Sequence, residues 1–192
     1  KFLNGEITDD EFMADDIRLW TEVQSQIHRD DIMRCYSGIS LMEGARDVVD
    51  ELSRRGIFVA IVSAGVDIFV GVIANMLSVD DWAANGFDWD DEGWLRGPAP
   101  TRVYSHDKGI MVEKLSRIKD LEPESIVSVG DSSTDLSMMI PGSRFIGFNP
   151  ARQRASDAFE NAGVPTVVSK DLRDIWQHIF EGESFPESGE GN

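Results

Sequence analysis

One cysteine, Cys35, is all the thiol that this sequence holds. A lone cysteine cannot close a disulfide within its own chain, and it suits a reducing compartment, so the expected location is cytoplasmic. Lysine is scarce, limited to Lys1, Lys108, Lys114, Lys119 and Lys170, and no stretch gathers Lys and Arg into a patch. That argues against nucleic acid or an anionic membrane as a partner. No run approaches the ~18–20 apolar residues of a membrane-crossing helix, and Lys1-Phe2-Leu3-Asn4-Gly5 does not read as a signal peptide. There is no internal repeat, no Cys/His spacing of a zinc site, and neither G-x-x-x-x-G-K-[ST] nor G-x-G-x-x-G. Cys35, His28, His106 and His178 form no nucleophile–base set. A kinase and a dinucleotide enzyme are thereby disfavoured.

What is abundant is acid. The net charge is −17 over 192 residues, with 41% hydrophobic residues, enough chain for one full core plus a small appendage. In so negative a molecule, a site for phosphate must bring its own positive charge. A metal, a lysine and helix N-termini are the available sources.

The stretch that organises the rest is Ser128-Val129-Gly130-Asp131-Ser132-Ser133-Thr134-Asp135-Leu136. Ile126–Val129 reads as a buried strand, and Leu136, Met138 and Met139 begin a helix that Pro141-Gly142 stops early. Asp131 and Asp135 therefore stand where a strand's C-terminal end meets a helix start, the edge at which open α/β sheets bind ligands. Two carboxylates there suit a hard cation such as Mg²⁺. They equally suit an acidic N-cap and first turn favoured by the helix dipole.

In chain order, Thr8 and Glu11 form a capping box ahead of a helix carrying Phe12, Ile17, Leu19, Trp20, Val23 and Ile27. A second helix runs from Asp30 through Tyr36. Met42–Ala45 opens another, closed by Gly56. Ile57–Val62 is the best strand, uniformly apolar, and it leads into a Ser63-Ala64-Gly65 turn and a helix from about Val66 to Leu77. Strand, small-residue turn and helix start make an anion cradle, although such a turn is also ordinary architecture. Phe87–Trp89 and Trp94–Arg96 flank a hairpin turn. Lys108 opens a helix in the turn where the dipole disfavours a cation, although periodicity alone favours a solvated surface lysine. Arg144–Phe148 is a strand ending at Asn149, followed by a helix from about Arg152, a strand at Val164–Val168 and a helix from Asp171 to Phe180. Residues 182–192 read as a flexible tail. The alternation predicts an α/β fold with a mainly parallel, doubly wound sheet.

Val62-Ser63-Ala64-Gly65, then Lys108-Gly109, then Gly130-Asp131-Ser132-Ser133-Thr134-Asp135 resemble motifs II, III and IV of the haloacid dehalogenase-like (HAD-like) hydrolases. Glu43-Gly44-Ala45, Ser63-Ala64-Gly65-Val66-Asp67, Ala84-Asn85 and Phe148-Asn149 add a likeness to the phosphoserine phosphatase subgroup. The resemblance implies a Rossmannoid three-layer parallel sheet (residues 42–181) with an N-terminal helical cap (residues 1–41). It implies a Mg²⁺-dependent phosphatase of small phosphomonoesters, acting through an aspartyl-phosphate on a small phosphorylated metabolite. Ser63, Lys108, Asp131 and Asp135 would be catalytic. Ser63, Ala64, Gly65 and Lys108 would bind the phosphoryl group, and Asp131 and Asp135 the metal. Arg18 and Phe12, with Arg34 second to Arg18, are the candidates for substrate contact in the cap. Charge repulsion between an attacking carboxylate and a phosphate dianion requires such a cation and lysine.

The sequence departs from the family's pattern in three places. Ala64 replaces the Gly usual directly after the motif II Ser, and Thr134 stands where an Asn is common. The largest departure is motif I, D-x-D-x-T/V after a strand, which does not occur; Asp9-Asp10 has the wrong spacing. That strand lies centrally in the family's sheet, so residues 1–192 are expected to be the C-terminal portion of a longer chain, unable alone to form the aspartyl-phosphate. The alternative is a catalytically inactive module that binds phosphate or a protein through the same edge.

Overall fold

The computed structural model describes residues 6–186. Two stretches discussed above, Lys1–Gly5 and residues 187–192 of the tail, lie outside the described residues. The chain divides into two compact units, residues 1–40 with 59–111, and residues 41–58 with 112–192.

The first unit opens with α1 (Asp9–Val23), whose start is the expected capping box. The Thr8 side chain accepts from Glu11 N, and the Glu11 carboxylate from Thr8 N at 2.8 Å. α2 (Arg29–Cys35) is capped by His28 and Asp31 in the same reciprocal way. β1 (Ala60–Val66) then runs into α4 (Asp67–Leu77), which buries Val70, Ala74 and Leu77. β1 pairs in parallel with β2 (Asp81–Asn85), and the antiparallel hairpin β3 (Phe87–Trp89) with β4 (Leu95–Pro98) follows. The strand β2 was not expected. Its Trp82 is exposed and its charged first residue breaks the apolar pattern, so periodicity gave no signal for a strand that exists to cover β1.

The hairpin docks on the segment between α1 and α2. Leu95 N donates to Ile27 O at 2.9 Å, Arg29 N to Gly93 O at 2.9 Å, and Trp20 meets Phe87 edge-on at 5.4 Å. Asp90 organises the hairpin turn by accepting from Glu92 N (3.0 Å) and Trp94 N (2.8 Å). Those N–H groups, Trp94 first, hold its carboxyl below the ordinary carboxylate range.

The second unit contains α3 (Ala45–Arg54), most of α5 (Gly109–Lys119), which begins in the first unit, and the parallel sheet β5–β6–β7. Its strands are β5 (Val127–Gly130), β6 (Arg144–Phe148) and β7 (Thr166–Val167). Between the last two lies α6 (Gln153–Ala162), and α7 (Trp176–Ile179) closes the unit after a 3₁₀ turn. α3 ends in a Schellman motif. Gly56 takes φ +70°, its N–H reaches Ser53 O at 2.9 Å, and Ile57 N reaches Leu52 O at 3.0 Å. That closure holds Ile57, so the strand begins at Ala60 rather than at Ile57.

The core of this unit joins Ile146, Phe148 and Ile175 to Val127, Val129, Val167 and Leu172. Arg55 pairs with the buried Glu51 at 2.8 Å, lies 4.8 Å over the Trp176 ring, and reaches Glu183 at 2.5 Å. Phe185 meets Trp176 edge-on at 5.1 Å. The first residues of the expected flexible tail are therefore fastened to the core.

Among the described residues, ladder pairing groups the parallel strands as β1–β2 and as β5–β6–β7. Among the described residues β1 pairs only with β2, and β5 only with β6.

β6 approaches α6 too closely for a side chain at Gly147, where a Cβ would lie 2.4 Å from Phe159 Cδ2. Phe159 is fully buried, so Gly147→Ala is expected to cost about 1–3 kcal/mol by overpacking, read from urea unfolding midpoints. The depressed Asp90 carboxyl stabilises the fold above its unfolded pKa of about 3.9 and loses that contribution as pH falls through the lower folded value. The loss of thermal midpoint below about pH 4 should accordingly shrink in Asp90→Asn.

Candidate functional site

Ser63, Ala64 and Gly65 lie within β1, not in a turn after it. Between the Val62–Ala83 and Val66–Asn85 pairs, β1 carries more residues than β2, so the three small residues form a bulge in a parallel ladder. Gly65 N donates to Ser63 Oγ at 3.1 Å, leaving the hydroxyl its own hydrogen to donate. Ser63 is half-buried and Gly65 exposed. The small side chains permit the bulge and keep its backbone open to a ligand.

Lys108 immediately precedes α5, half-buried, with buried Gly109 as the first helical residue. The chain leading to it is tied down twice within the first unit. The Asp9 carboxylate, in the first turn of α1, accepts from Ser105 N at 3.2 Å and from Ser105 Oγ at 2.5 Å. Two residues earlier, Val103 is held by Asn85. The Asn85 Oδ1 accepts from Arg102 N and Val103 N, each at 2.9 Å, and its Nδ2 donates to Val103 O at 2.8 Å and Ala64 O at 3.3 Å.

In the second unit, Asp131 is exposed at the C-terminal end of β5, and Asp135 is 6% exposed. Asp135 Oδ2 accepts from Asp131 N at 3.1 Å and Ser132 N at 3.0 Å. Gly130 makes this possible, because a Cβ there would lie 2.4 Å from Asp135 Cβ. Only a four-residue 3₁₀ turn, Asp135–Met138, follows. The expected helix does not form, and with it goes any appreciable dipole at this loop. Pro141-Gly142 arrives too soon for an α-helix to pass its first turn. Asp135 thus folds the loop that presents Asp131.

Oxygen donors alone suit Mg²⁺, which is often held by one or two carboxylates and completes its shell with water and phosphate. Among the described residues no group of three or more His, Cys, Asp or Glu is placed to hold a metal. Two carboxylates are within that minimum, so the loop fits the ion.

Asn149, the third polar element expected at this edge, takes φ +47° and spends its amide on the Ser169 backbone, accepting from Ser169 N at 2.9 Å and donating to Ser169 O. Arg18 lies exposed on α1 and pairs with Glu22 at 2.7 Å and Asp15 at 3.4 Å. Phe12 is 37% exposed on the same helix. Arg34 is held by Asp31. Ser63–Gly65, Lys108, Arg18 and Phe12 fall in the first unit, Asp131 and Asp135 in the second.

The family model described as haloacid dehalogenase-like hydrolase matches residues 6–139, which include all three motif segments. The chain belongs to the haloacid dehalogenase-like hydrolases. Among curated relatives, this hydrolase is 33% identical over 144 residues to a phosphoserine phosphatase of Methanocaldococcus jannaschii, covering 73% of the chain and 64% of the relative. It is 30% identical over 148 residues to one of Archaeoglobus fulgidus, covering 77% of the chain and 42% of the relative. The chain thus spans less than two thirds of the length of both.

Among solved structures, a substrate-bound phosphoserine phosphatase complex aligns with TM-score 0.69 at 29% identity, over 80% of this chain and 71% of that one. An apo phosphoserine phosphatase aligns with TM-score 0.72 at 27% identity, over 89% and 82%. The α/β fold with parallel sheets is that of these hydrolases.

Sequence reasoning did not find the work done by Asn85 and Asp9. Asn85 stood out only as half of a family dipeptide. A polar residue directly after Ala83-Ala84 at a strand's end was the available signal, and its partners lie 17 to 21 residues away in sequence.

Removing the Asp135 carboxylate leaves two loop N–H groups without that partner. Asp135→Ala is expected to cost about 1–3 kcal/mol in unfolding free energy. Asp135→Asn, which keeps an acceptor oxygen, should cost less; equal losses in the two variants would show that the hydrogen bonds to Asp131 and Ser132 are unimportant.

Proposed function

We propose that this hydrolase is a Mg²⁺-dependent phosphatase of small phosphomonoesters, with phosphoserine as the first substrate to test. The observation that carries the reading is that one family match spans Ser63, Lys108 and Asp131–Asp135 together, and that the relatives named phosphoserine phosphatase include sequences about a third identical. A small-metabolite phosphatase with a lone cysteine suits a reducing cytoplasm.

The Ser63 hydroxyl and the open backbone of the bulge would donate to phosphoryl oxygens. Lys108 would offset charge on the phosphoryl group and on the attacking carboxylate. Asp131, with its loop shaped by Asp135, would hold Mg²⁺, which supplies charge neutralisation at the phosphoryl oxygens when bound. Arg18 and Phe12 would contribute to substrate contact from α1, Arg18 exchanging its present carboxylate partners for the substrate's.

The reading includes an aspartyl-phosphate intermediate. A structure described as a phospho-aspartyl intermediate analogue of phosphoserine phosphatase is 28% identical to this chain, with TM-score 0.69 over 87% of it and 78% of that chain. No D-x-D-x-T/V occurs in residues 1–192, so the proposal places the nucleophile in sequence preceding Lys1.

The test is phosphate release from phosphoserine by the full natural chain, with Mg²⁺ and after its removal by EDTA. Turnover is expected to vanish with EDTA and return with added Mg²⁺. Lys108→Ala should lower kcat about 100-fold or more at unchanged thermal midpoint. Phosphate binding without turnover of any phosphomonoester would replace the phosphatase with a non-catalytic binding module.

A further inference from the structure

Asn85 is 2% exposed and sits at the last register pair of β1 and β2, opposite Val66. A side-chain amide has two acceptor sites on oxygen and two N–H donors. Asn85 uses all four, on Arg102 N, Val103 N, Val103 O and Ala64 O. The assignment of oxygen and nitrogen follows from the partners, since a flipped amide would set its NH₂ against two N–H groups and its oxygen against two carbonyls.

Three of these bonds hold the 102–103 segment, five residues before Lys108. The fourth holds the carbonyl of Ala64, the middle residue of the Ser63–Gly65 bulge. The bulge lies where regular ladder pairing with β2 is interrupted, between the Val62–Ala83 and Val66–Asn85 pairs. On the path from Val103 to Lys108, Ser105 is also tied to Asp9 in the same unit. A single buried side chain therefore bonds directly to the bulge that carries Ser63 and to the segment that leads to Lys108.

We propose that Asn85 is a positioning residue that fixes the Ser63–Gly65 bulge relative to the chain entering Lys108, so that the two grip the same phosphoryl group. This rests on the phosphatase reading. Asn85 touches no reacting atom; it acts through Ala64 and Val103. No other side chain of similar size serves. Aspartate cannot donate to the two carbonyls, and leucine leaves all four backbone groups unpaired in a buried setting.

The experiment uses the full natural chain and reads kcat, thermal midpoint and the inhibition constant for inorganic phosphate. Asn85→Asp keeps shape and acceptors but loses the donors to Ala64 and Val103. Asn85→Ser serves where a buried carboxylate prevents folding. Measured below the midpoint, the folded variants are expected to lose about tenfold or more in kcat and in phosphate affinity. The deciding readout is the cycle with Lys108→Ala. Phosphate affinity of Asn85→Ser/Lys108→Ala should match that of Lys108→Ala within about twofold, because the clip has lost the group that it positions.

Fully multiplicative losses, or a lowered midpoint with phosphate affinity and kcat unchanged, would overturn the proposal and leave Asn85 as a purely structural tie. If the unsubstituted protein neither turns over phosphomonoesters nor binds phosphate, the phosphatase reading itself fails, and this inference falls with it. The unsubstituted control separates the two failures.

Discussion

Strands that end at a functional edge must leave their ladders there, and each backbone N–H and C=O that leaves needs another partner. Three short side chains meet that requirement in this hydrolase. Asn85 ties the end of β2 to the β1 bulge and to residues 102–103, Asp135 accepts the first two N–H groups after β5, and Asn149 closes the end of β6 onto Ser169. Asn and Asp suit this task because their polar atoms lie close to the main chain and imitate a backbone turn. The loops that would hold phosphate and metal are thus shaped by neighbours that do not themselves hold them.

The glycines around these loops show the same constraint from the opposite side. Gly130 leaves room for Asp135, and Gly147 for Phe159. Close packing makes even one methyl group costly at such places, so a loop of this kind is specified as much by missing atoms as by charged ones. Farther from the edge, Arg55 connects Glu51, Trp176 and Glu183 and so binds α3, α7 and the first tail residues into one unit.

The excess of acid sets the electrostatic background. Arg18, Arg34, Arg54, Arg55 and Arg173 each pair with carboxylates of their own unit. Such pairs contribute little individually when exposed, but they commit most of that positive charge to nearby carboxylates. A phosphomonoester bound to this surface would depend on what its immediate site supplies: a lysine at a helix start, oriented backbone N–H groups and a divalent cation.

Much of this was legible in the sequence, because local physics decides it. The Thr8–Glu11 capping box, the Gly56 helix end, the hairpin at Asp90–Gly93 and the strand Arg144–Phe148 each depend on residues within a few positions of one another. The segments around Ser63, Lys108 and Asp131 were each locally ordinary, and they stood out only because their order and spacing resemble the family's motifs, which one family match spans. What stayed hidden depends on partners distant in sequence. β2 exists because β1 is beside it, and Ser63–Gly65 is a bulge because its three residues stand between two β1–β2 pairs that only Ala84 separates on β2. The sequence by itself determined the order of elements and the chemistry available at their ends. The tertiary structure alone decided which backbone groups lost their ladder partners, and therefore that Asn85 and Asp135 would take their place.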